Sequence, residues 1–363
     1  MRQEIEIGLL YSTTGTYRRI GQASLAGARA AIADVNADPA RPFSFRAVEG
    51  DPGGAIDAYP ALSAQMLAET SVRHIVGCVT SWSRKEVIPV LERAGGTLWY
   101  GCPYEGFEAS DHVVYAHACP NQHLFPLLNW ALGRFGARGY LVGSNYIWGW
   151  EMSRIARALI ADAGGATLGE RYLPIGDTDV DRMVAELRAA RPDFVLNSLI
   201  GQSSYAFLEA VQRLRAEDPY FAEGCPVLSC NFTECELDAV GPAAEGLISV
   251  GPYFAGEHWP GLPEGRHFAS SLEAAPYAAV MMLADLLAAA PDRAAGIGRL
   301  LAAAPADGMI DPTTHHTRLP VLIAQVQKGA FRVIERLQPV DAAPYLSHWP
   351  EPVRRRPALR LVP

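Results

Sequence analysis

Apolar positions along the chain follow two alternating rhythms. Short aliphatic or alternating runs at residues 5–10, 43–49, 74–78 and 97–100 read as strands. Between them, residues 22–36, 55–69 and 84–93 repeat apolar side chains at helical spacing; Leu62, Met66 and Leu67 share one face of the second. This β-α order calls for a parallel sheet with helices on both faces. The rhythm restarts after Pro120. Helical patterns at 122–135, 151–163, 180–188 and 205–215 alternate with strand patterns at 139–143, 168–173, 194–197 and 227–229. Two β/α sets of similar size, with no visible repeat between them, predict two lobes. The glycine- and proline-rich stretch after Val250 reads as loop. Helical patterns return at 272–290 and 296–304, and strands at 321–327 and 331–335 flank Lys328-Gly329.

The 363 residues are 49% hydrophobic and 19% charged, enough apolar material for substantial cores. A net charge of -8 without a basic block in the body argues against direct nucleic-acid binding and against docking on an anionic membrane. The Arg354-Arg355-Arg356 run is short and reads as a solvated tail. The richest apolar stretch, 278–290, carries Asp285 and is too short to cross a bilayer. Met1-Arg2-Gln3 leads straight into a strand with no secretory signal pattern, which predicts a cytoplasmic protein; a removed leader would make it periplasmic. Of the six cysteines, Cys225, Cys230 and Cys235 have no zinc spacing, and all six read as ordinary thiols of a reducing compartment.

No nucleophile elbow, zinc-protease motif, phosphate loop or dinucleotide fingerprint occurs, so enzymatic function has no positive support, and no cofactor or metal is expected. His315-His316 lacks a third ligand and reads as a solvated or hydrogen-bonding pair. Asp51 reads as a turn or helix cap. What remains is a set of polar and aromatic loops after strands, among them Tyr11–Thr14, Thr80–Ser83, Tyr100–Glu105, Asn145–Trp148, Ile200–Ser204 and Cys230–Glu234. In a β-α protein such loops gather at one end of each sheet. Hydroxyls and free N–H groups there hold a carbonyl or carboxylate oxygen, and aromatic faces enclose an apolar tail. For the knot before the helix pattern at Arg84, we expect Ser81 on a ligand and Ser83 as the cap.

The segments "IGLLYSTTG", "DPGGAIDAY", "VGCVTSWSRKEVIPVLERA", "YGCPYEGFEAS", "VVYAHACPNQ", "GSNYIWGWEMSR" and "GPYF" resemble the type I periplasmic-binding-protein superfamily, in its Leu/Ile/Val-binding group. Within it they are most similar to the amide-sensor branch, the negative regulators of aliphatic amidase operons. The resemblance implies an α/β two-lobed clamshell, each lobe a mostly parallel sheet flanked by helices. Three crossovers are implied, near 119–120, 250–252 and 319–326. Lobe I would comprise 1–119 plus 251–322, and lobe II 120–250 plus 323–363. The implied function is sensing of a short amide, urea or related compound by cleft closure, as a regulator. The alternative is the solute-binding component of an ABC importer for urea, amides or branched-chain amino acids. Implied partners are the amide-like or amino-acid ligand, an RNA-binding antitermination protein or an ABC permease, and a second copy in a homodimer. The matching pocket positions are Val79, Thr80, Ser81, Tyr100, Cys102, Tyr104, Tyr146, Trp148, Ser198, Gly201 and Thr233. Ser81 and Tyr104 would meet the amide, while Val79, Tyr100, Tyr146 and Trp148 would wall its alkyl part. Arg84 and Lys85 would pair with carboxylates or face solvent. Glu105 and Glu234 would be the partners of an ammonium. The chain departs from the branch at Val79, where an aromatic is expected, at Cys102, where a hydroxyl is expected, and at Trp148, where a tyrosine is expected.

Overall fold

The computed structural model describes residues 2–259, 262–263, 265–303 and 308–346. The Arg354–356 run lies outside them. The first sheet takes β1 (Gln3–Leu10), β2 (Phe43–Gly50), β3 (His74–Gly77), β4 (Thr97–Tyr100) and β5 (Val113–Tyr115) in the order β2-β1-β3-β4-β5, all parallel. The second takes β6 (Arg138–Ser144), β7 (Ala166–Leu173), β8 (Phe194–Ser198), β9 (Val227–Ser229), β10 (Ile248–Gly251), β11 (Leu319–Gln327) and β12 (Ala330–Val340) in the order β12-β11-β10-β9-β8-β6-β7. Its strands are parallel from β7 to β10; β11 and β12 form an antiparallel hairpin added at one edge. Helices α1 (Arg18–Ala37), α2 (Ala58–Glu69) and α3 (Ser81–Ala94) connect the first sheet. Helices α4 (Leu124–Arg134), α5 (Ile147–Asp162), α6 (Asp181–Ala190), α7 (Gln202–Glu217), α8 (Pro219–Glu223) and α9 (Glu234–Val240) connect the second. Helices α10 (Ser271–Ala289) and α11 (Ile297–Ala302) then follow, α10 returning to pack on α1.

Ile7, Leu9 and Leu10 of β1 are all buried, as expected of a strand covered on both faces. Helix α10 matches the 272–290 pattern shifted by one residue and is apolar enough to span a membrane by length, but most of it is core. It lies so close to α1 that a Cβ on Gly27 would sit 2.0 Å from the Glu273 carbonyl oxygen.

The chain passes between the two sheets at 116–123, 252–270 and 317–319. Gln122 ties two of these passages together: its Nε2 donates to Thr317 O at 2.9 Å and to Val340 O at 2.8 Å. Strand β11 begins at Leu319 and belongs wholly to the second sheet, so a lobe boundary between 322 and 323 would cut it.

Candidate functional site

The site starts with a capping arrangement. Thr80 is the N-cap of α3, which begins at Ser81 and not at Arg84. Thr80 Oγ1 accepts from Ser83 N at 3.2 Å, and Ser83 Oγ accepts from Thr80 N at 3.1 Å. The cap is therefore shared by Thr80 and Ser83, closing a capping box with serine in the place of the usual glutamate. Ser81 is left out of the cap. Its Oγ donates to Glu105 Oε2, which leaves its lone pairs free to accept. The Ser83 and Arg84 N–H groups are taken by Thr80, so those of Ser81 and Trp82 remain without an intrahelical acceptor.

Behind Ser81 lies a closed set of charges. Arg84 is fully buried. Its Nη2 reaches Glu105 Oε1 at 2.9 Å and its Nε reaches Glu108 Oε1 at 2.7 Å, while Lys85 Nζ meets Glu108 Oε2 at 2.6 Å. The rings of Tyr100 and Tyr104 each lie 4.9 Å from the guanidinium carbon. Burial works to raise the Glu108 carboxyl, but the Arg84 and Lys85 charges outweigh it and hold it at about 2. Two cations face two carboxylates, so the network adds no net charge to the space in front of it.

That space is a small cavity of about 30 Å³ between the lobes. Ile20, Val79, Thr80, Ser81, Cys102, Pro103 and Leu272 wall it from the first lobe; Tyr146, Trp148, Ile200 and Asn231 wall it from the second. No charged side chain is among these. Burial pushes the Cys102 thiol up to about 12, so it stays neutral. Trp148 is buried and its Nε1–H has no protein acceptor. At the rim the lobes touch through aromatic rings: Trp82 lies 5.5 Å from Tyr146, and Arg154 lies 4.8 Å over Phe107.

Of the positions named from the sequence, Val79, Thr80, Ser81, Cys102, Tyr146 and Trp148 line this cavity. The other expected positions stand outside the wall. Tyr100 donates its hydroxyl to Val79 O at 2.7 Å, and Tyr104 is bonded through its hydroxyl to His316 Nε2; both serve the Arg84 cluster. Ser198 ends β8 with its Oγ buried and unpartnered. Gly201 faces the Thr16 carbonyl across the lobes, and Thr233 caps α9 with Glu236, whose Oε2 accepts from Thr233 N at 3.4 Å. Glu105 is committed to Arg84 and Ser81. Burial raises the Glu234 carboxyl to about 7, and its Oε2 has no protein partner. Asp51 clips a turn, accepting from Thr13 N and Gly53 N. His315 and His316 are buried, not solvated; His316 stacks on Tyr115 at 4.2 Å. Ile20, Pro103, Ile200, Asn231 and Leu272 are wall residues that the sequence reading did not single out. Pro103, Ile200 and Asn231 sit in loops it had marked; Ile20 and Leu272 are ordinary apolar helix positions with no local signal.

Two β/α lobes joined by three passages and meeting on a small, mostly apolar cavity define a two-lobed small-molecule binding protein. A profile of the periplasmic binding protein domain matches residues 5–351, and the chain belongs to that family, in its type I branch. Solved structures of the same fold include two Rhodopseudomonas palustris ABC-transporter solute-binding proteins. One, in complex with 4-hydroxybenzoate, has 18% identity and TM-score 0.78, covering 93% of this chain and 97% of that one. The other, in complex with benzoate, has 16% identity and TM-score 0.79, covering 94% and 98%. A Streptococcus pneumoniae branched-chain amino acid transporter substrate-binding protein in complex with isoleucine has 14% identity and TM-score 0.77, covering 93% and 99%. The family and these neighbours bind substrates and do not convert them; the chain is a binding protein, not an enzyme.

The cytoplasmic location expected from the N-terminal residues is corrected by the same findings. The family is that of periplasmic binding proteins, and the neighbours named above are transporter solute-binding proteins, which points to the periplasm. The first strand of a folded domain carries no address, so its early start was no guide. The findings also favour the importer alternative over the regulator, and the RNA-binding partner has no support among them.

Proposed function

We propose that the chain is the solute-binding component of an ABC importer for a small uncharged compound, a carbonyl group on a short apolar body, in the short-amide or urea class. One observation carries this reading: the cavity offers N–H donors from the start of α3 and from Trp148, yet no charged side chain lines it. A carboxylate buried there would lack a cation, since Arg84 and Lys85 are already matched by Glu105 and Glu108. A zwitterion would in addition need an acceptor for its ammonium, and Glu105 is spent. The cavity is also far below the roughly 300–1,000 Å³ of pockets that enclose drug-sized molecules.

In this reading lobe I runs through residue 118 with 252–318, and lobe II comprises 119–251 with the strand pair from Leu319. Ligand bridges the two and favours the closed form, which an ABC permease then distinguishes from the open one.

Thermal unfolding with matched neutral and charged probes tests the proposal. Butyramide, benzamide and urea are set against butyrate, benzoate and isoleucine. A ligand at a hundred times its Kd adds about 2.7 kcal/mol, or roughly 5–10 °C in Tm for lobes of this size. The uncharged probes should produce that shift. Stabilisation by benzoate or isoleucine alone would overturn the reading.

A further inference from the structure

A second cavity lies at the end of the second sheet opposite the cleft. Strands β8 and β9 run toward the cleft, where Ile200 and Asn231 follow them and line the ligand cavity. The second cavity lies at the strand starts: Pro226 and Gly246, which come just before β9 and β10, form part of its wall. Its volume is about 510 Å³, against about 30 Å³ between the lobes. Helix α7 supplies Gln212 and Arg215, three residues apart on one face. Phe135, Ala222, Ile248 and Val326 make much of the remaining wall apolar.

Arg215 is incompletely matched. Its Nη1 donates to Glu245 O at 3.0 Å, but its Nε is buried with no protein partner, and Nη2 makes no hydrogen bond among the described residues. Neither acidic side chain of the wall pairs with it. Glu245 turns its carboxylate to the β11–β12 turn, accepting from Lys328 N at 3.1 Å and Gly329 N at 3.3 Å, and Glu223 is exposed. The contrast is with Arg84, whose burial is matched by Glu105 at 2.9 Å and Glu108 at 2.7 Å. Burial lowers the Arg215 guanidinium below its ordinary value, with only Cys225 acting against it. Folded proteins seldom leave a buried charge without a counter-charge or a buried N–H without an acceptor, so a guanidinium that lacks both and lines a cavity points to an external anion.

We propose that this cavity is a second binding site, for a small monocarboxylate with an apolar body, its carboxylate on Arg215 Nη2 and the Gln212 amide and its body against Phe135, Pro226 and Val326. One cation matches one negative charge. A phosphate dianion would leave a charge unmatched beside Glu223 and Glu245, and an ammonium would meet the guanidinium as a like charge. A neutral amide forms no charge-assisted bond there. The inference goes beyond the neutral-ligand reading of the cleft and does not depend on it, because the two cavities share no wall residue.

Titration calorimetry on the full chain with 3-phenylpropionate tests the site. Wild type should bind it. Arg215→Met should weaken it by about tenfold or more, and Ser81→Ala, in the other cavity, should leave it unchanged. Arg215→Lys keeps the charge without the planar fork and should fall between wild type and Arg215→Met; it serves as the readout should Arg215→Met fold poorly. Equal affinity in wild type and Arg215→Met would overturn the proposal, as would no binding to wild type at millimolar concentration. If Ser81→Ala loses 3-phenylpropionate and Arg215→Met does not, the carboxylate sits in the cleft, and this proposal falls together with the neutral-ligand reading. If 3-phenylpropionate binds through Arg215 and butyramide does not bind at all, only the cleft reading falls. Arg215→Met also isolates the cleft: stabilisation of that variant by benzoate would not come from the second cavity.

Discussion

Gly201 offers a direct test of how the lobes meet. It precedes α7 in lobe II with φ 56° and ψ -135°. A Cβ built on it would lie 2.2 Å from the backbone oxygen of Thr16 in lobe I. A backbone carbonyl cannot rotate aside as a side chain does, so Gly201→Ala would have to part the lobes by about 1 Å to reach ordinary contact. Overpacking of this kind costs roughly 1–3 kcal/mol. At about 2 kcal/mol the closed form loses roughly thirtyfold in population against the open one. Alanine also dislikes this backbone region, and that strain must be separated from the clash. Gly241 supplies the control: φ 56° and ψ -132°, in the same lobe, with no atom within 4 Å of an added Cβ. Both variants carry the same strain, of order 1–3 kcal/mol each, and should lose a similar amount of Tm. Only Gly201→Ala should show a larger radius of gyration by small-angle scattering with ligand bound, and weaker binding. If Gly201→Ala closes to the wild-type dimensions, or Gly241→Ala expands equally, the contact with Thr16 does not limit closure.

Further outcomes follow from the site and its charges. Ser81→Ala should lower butyramide affinity by about tenfold in calorimetry, and an unchanged affinity would remove Ser81 from the site. Arg84→Met removes the buried cation of the cluster and leaves Glu105 and Glu108 only the half-buried Lys85, so the unfolding free energy in urea should drop by about 3 kcal/mol; a loss under about 1 kcal/mol would mean the cluster is solvated. Glu108 is held at about 2 against an ordinary 4.5, so its contribution is complete above pH 4.5 and is lost as pH falls toward 2. Acid titration of wild-type Tm should show that loss, and Arg84→Met should flatten it. Glu236 behaves in the opposite sense: burial raises it to about 7, so its contribution is full below pH 4.5 and is lost as pH rises through 7. Glu234, also raised to about 7, adds to the same neutral-range decline in Tm, so Glu236→Gln should shrink it and Glu236→Gln with Glu234→Gln should remove it; a decline unchanged in Glu236→Gln would assign it elsewhere.

The alternation of β and α patterns was legible because each long element carries its own period. Strands β5 and β10 were not, since three or four apolar residues show no period that separates them from loop. The lobe I side of the cavity could be read because capping chemistry is local: Thr80, Ser81 and Ser83 announce a helix start within four residues. Tyr104 was misplaced for a physical reason. A tyrosine in a loop after a strand suits a ligand wall equally well, but the buried Arg84 draws the Tyr104–Glu108 loop inward to supply its carboxylates and ring faces. Ile20 and Leu272 reach the cavity only because α1 and α10 pack together, and nothing near either residue reports a neighbour some 250 positions away.

The six thiols take on a different meaning in an oxidising compartment. All are free, and five are buried. Burial pushes Cys102, Cys119 and Cys225 up to about 12, far from the thiolate that attacks a disulfide or an oxidant. The native fold is thus its own antioxidant. The exposed moment is the one before it forms, when an extended chain presents six ordinary thiols to the periplasmic oxidising machinery. For a chain that folds in such a compartment, collapse of the two cores competes with mispairing, and slow-folding variants should accumulate as scrambled disulfide species even where their final stability is unaltered.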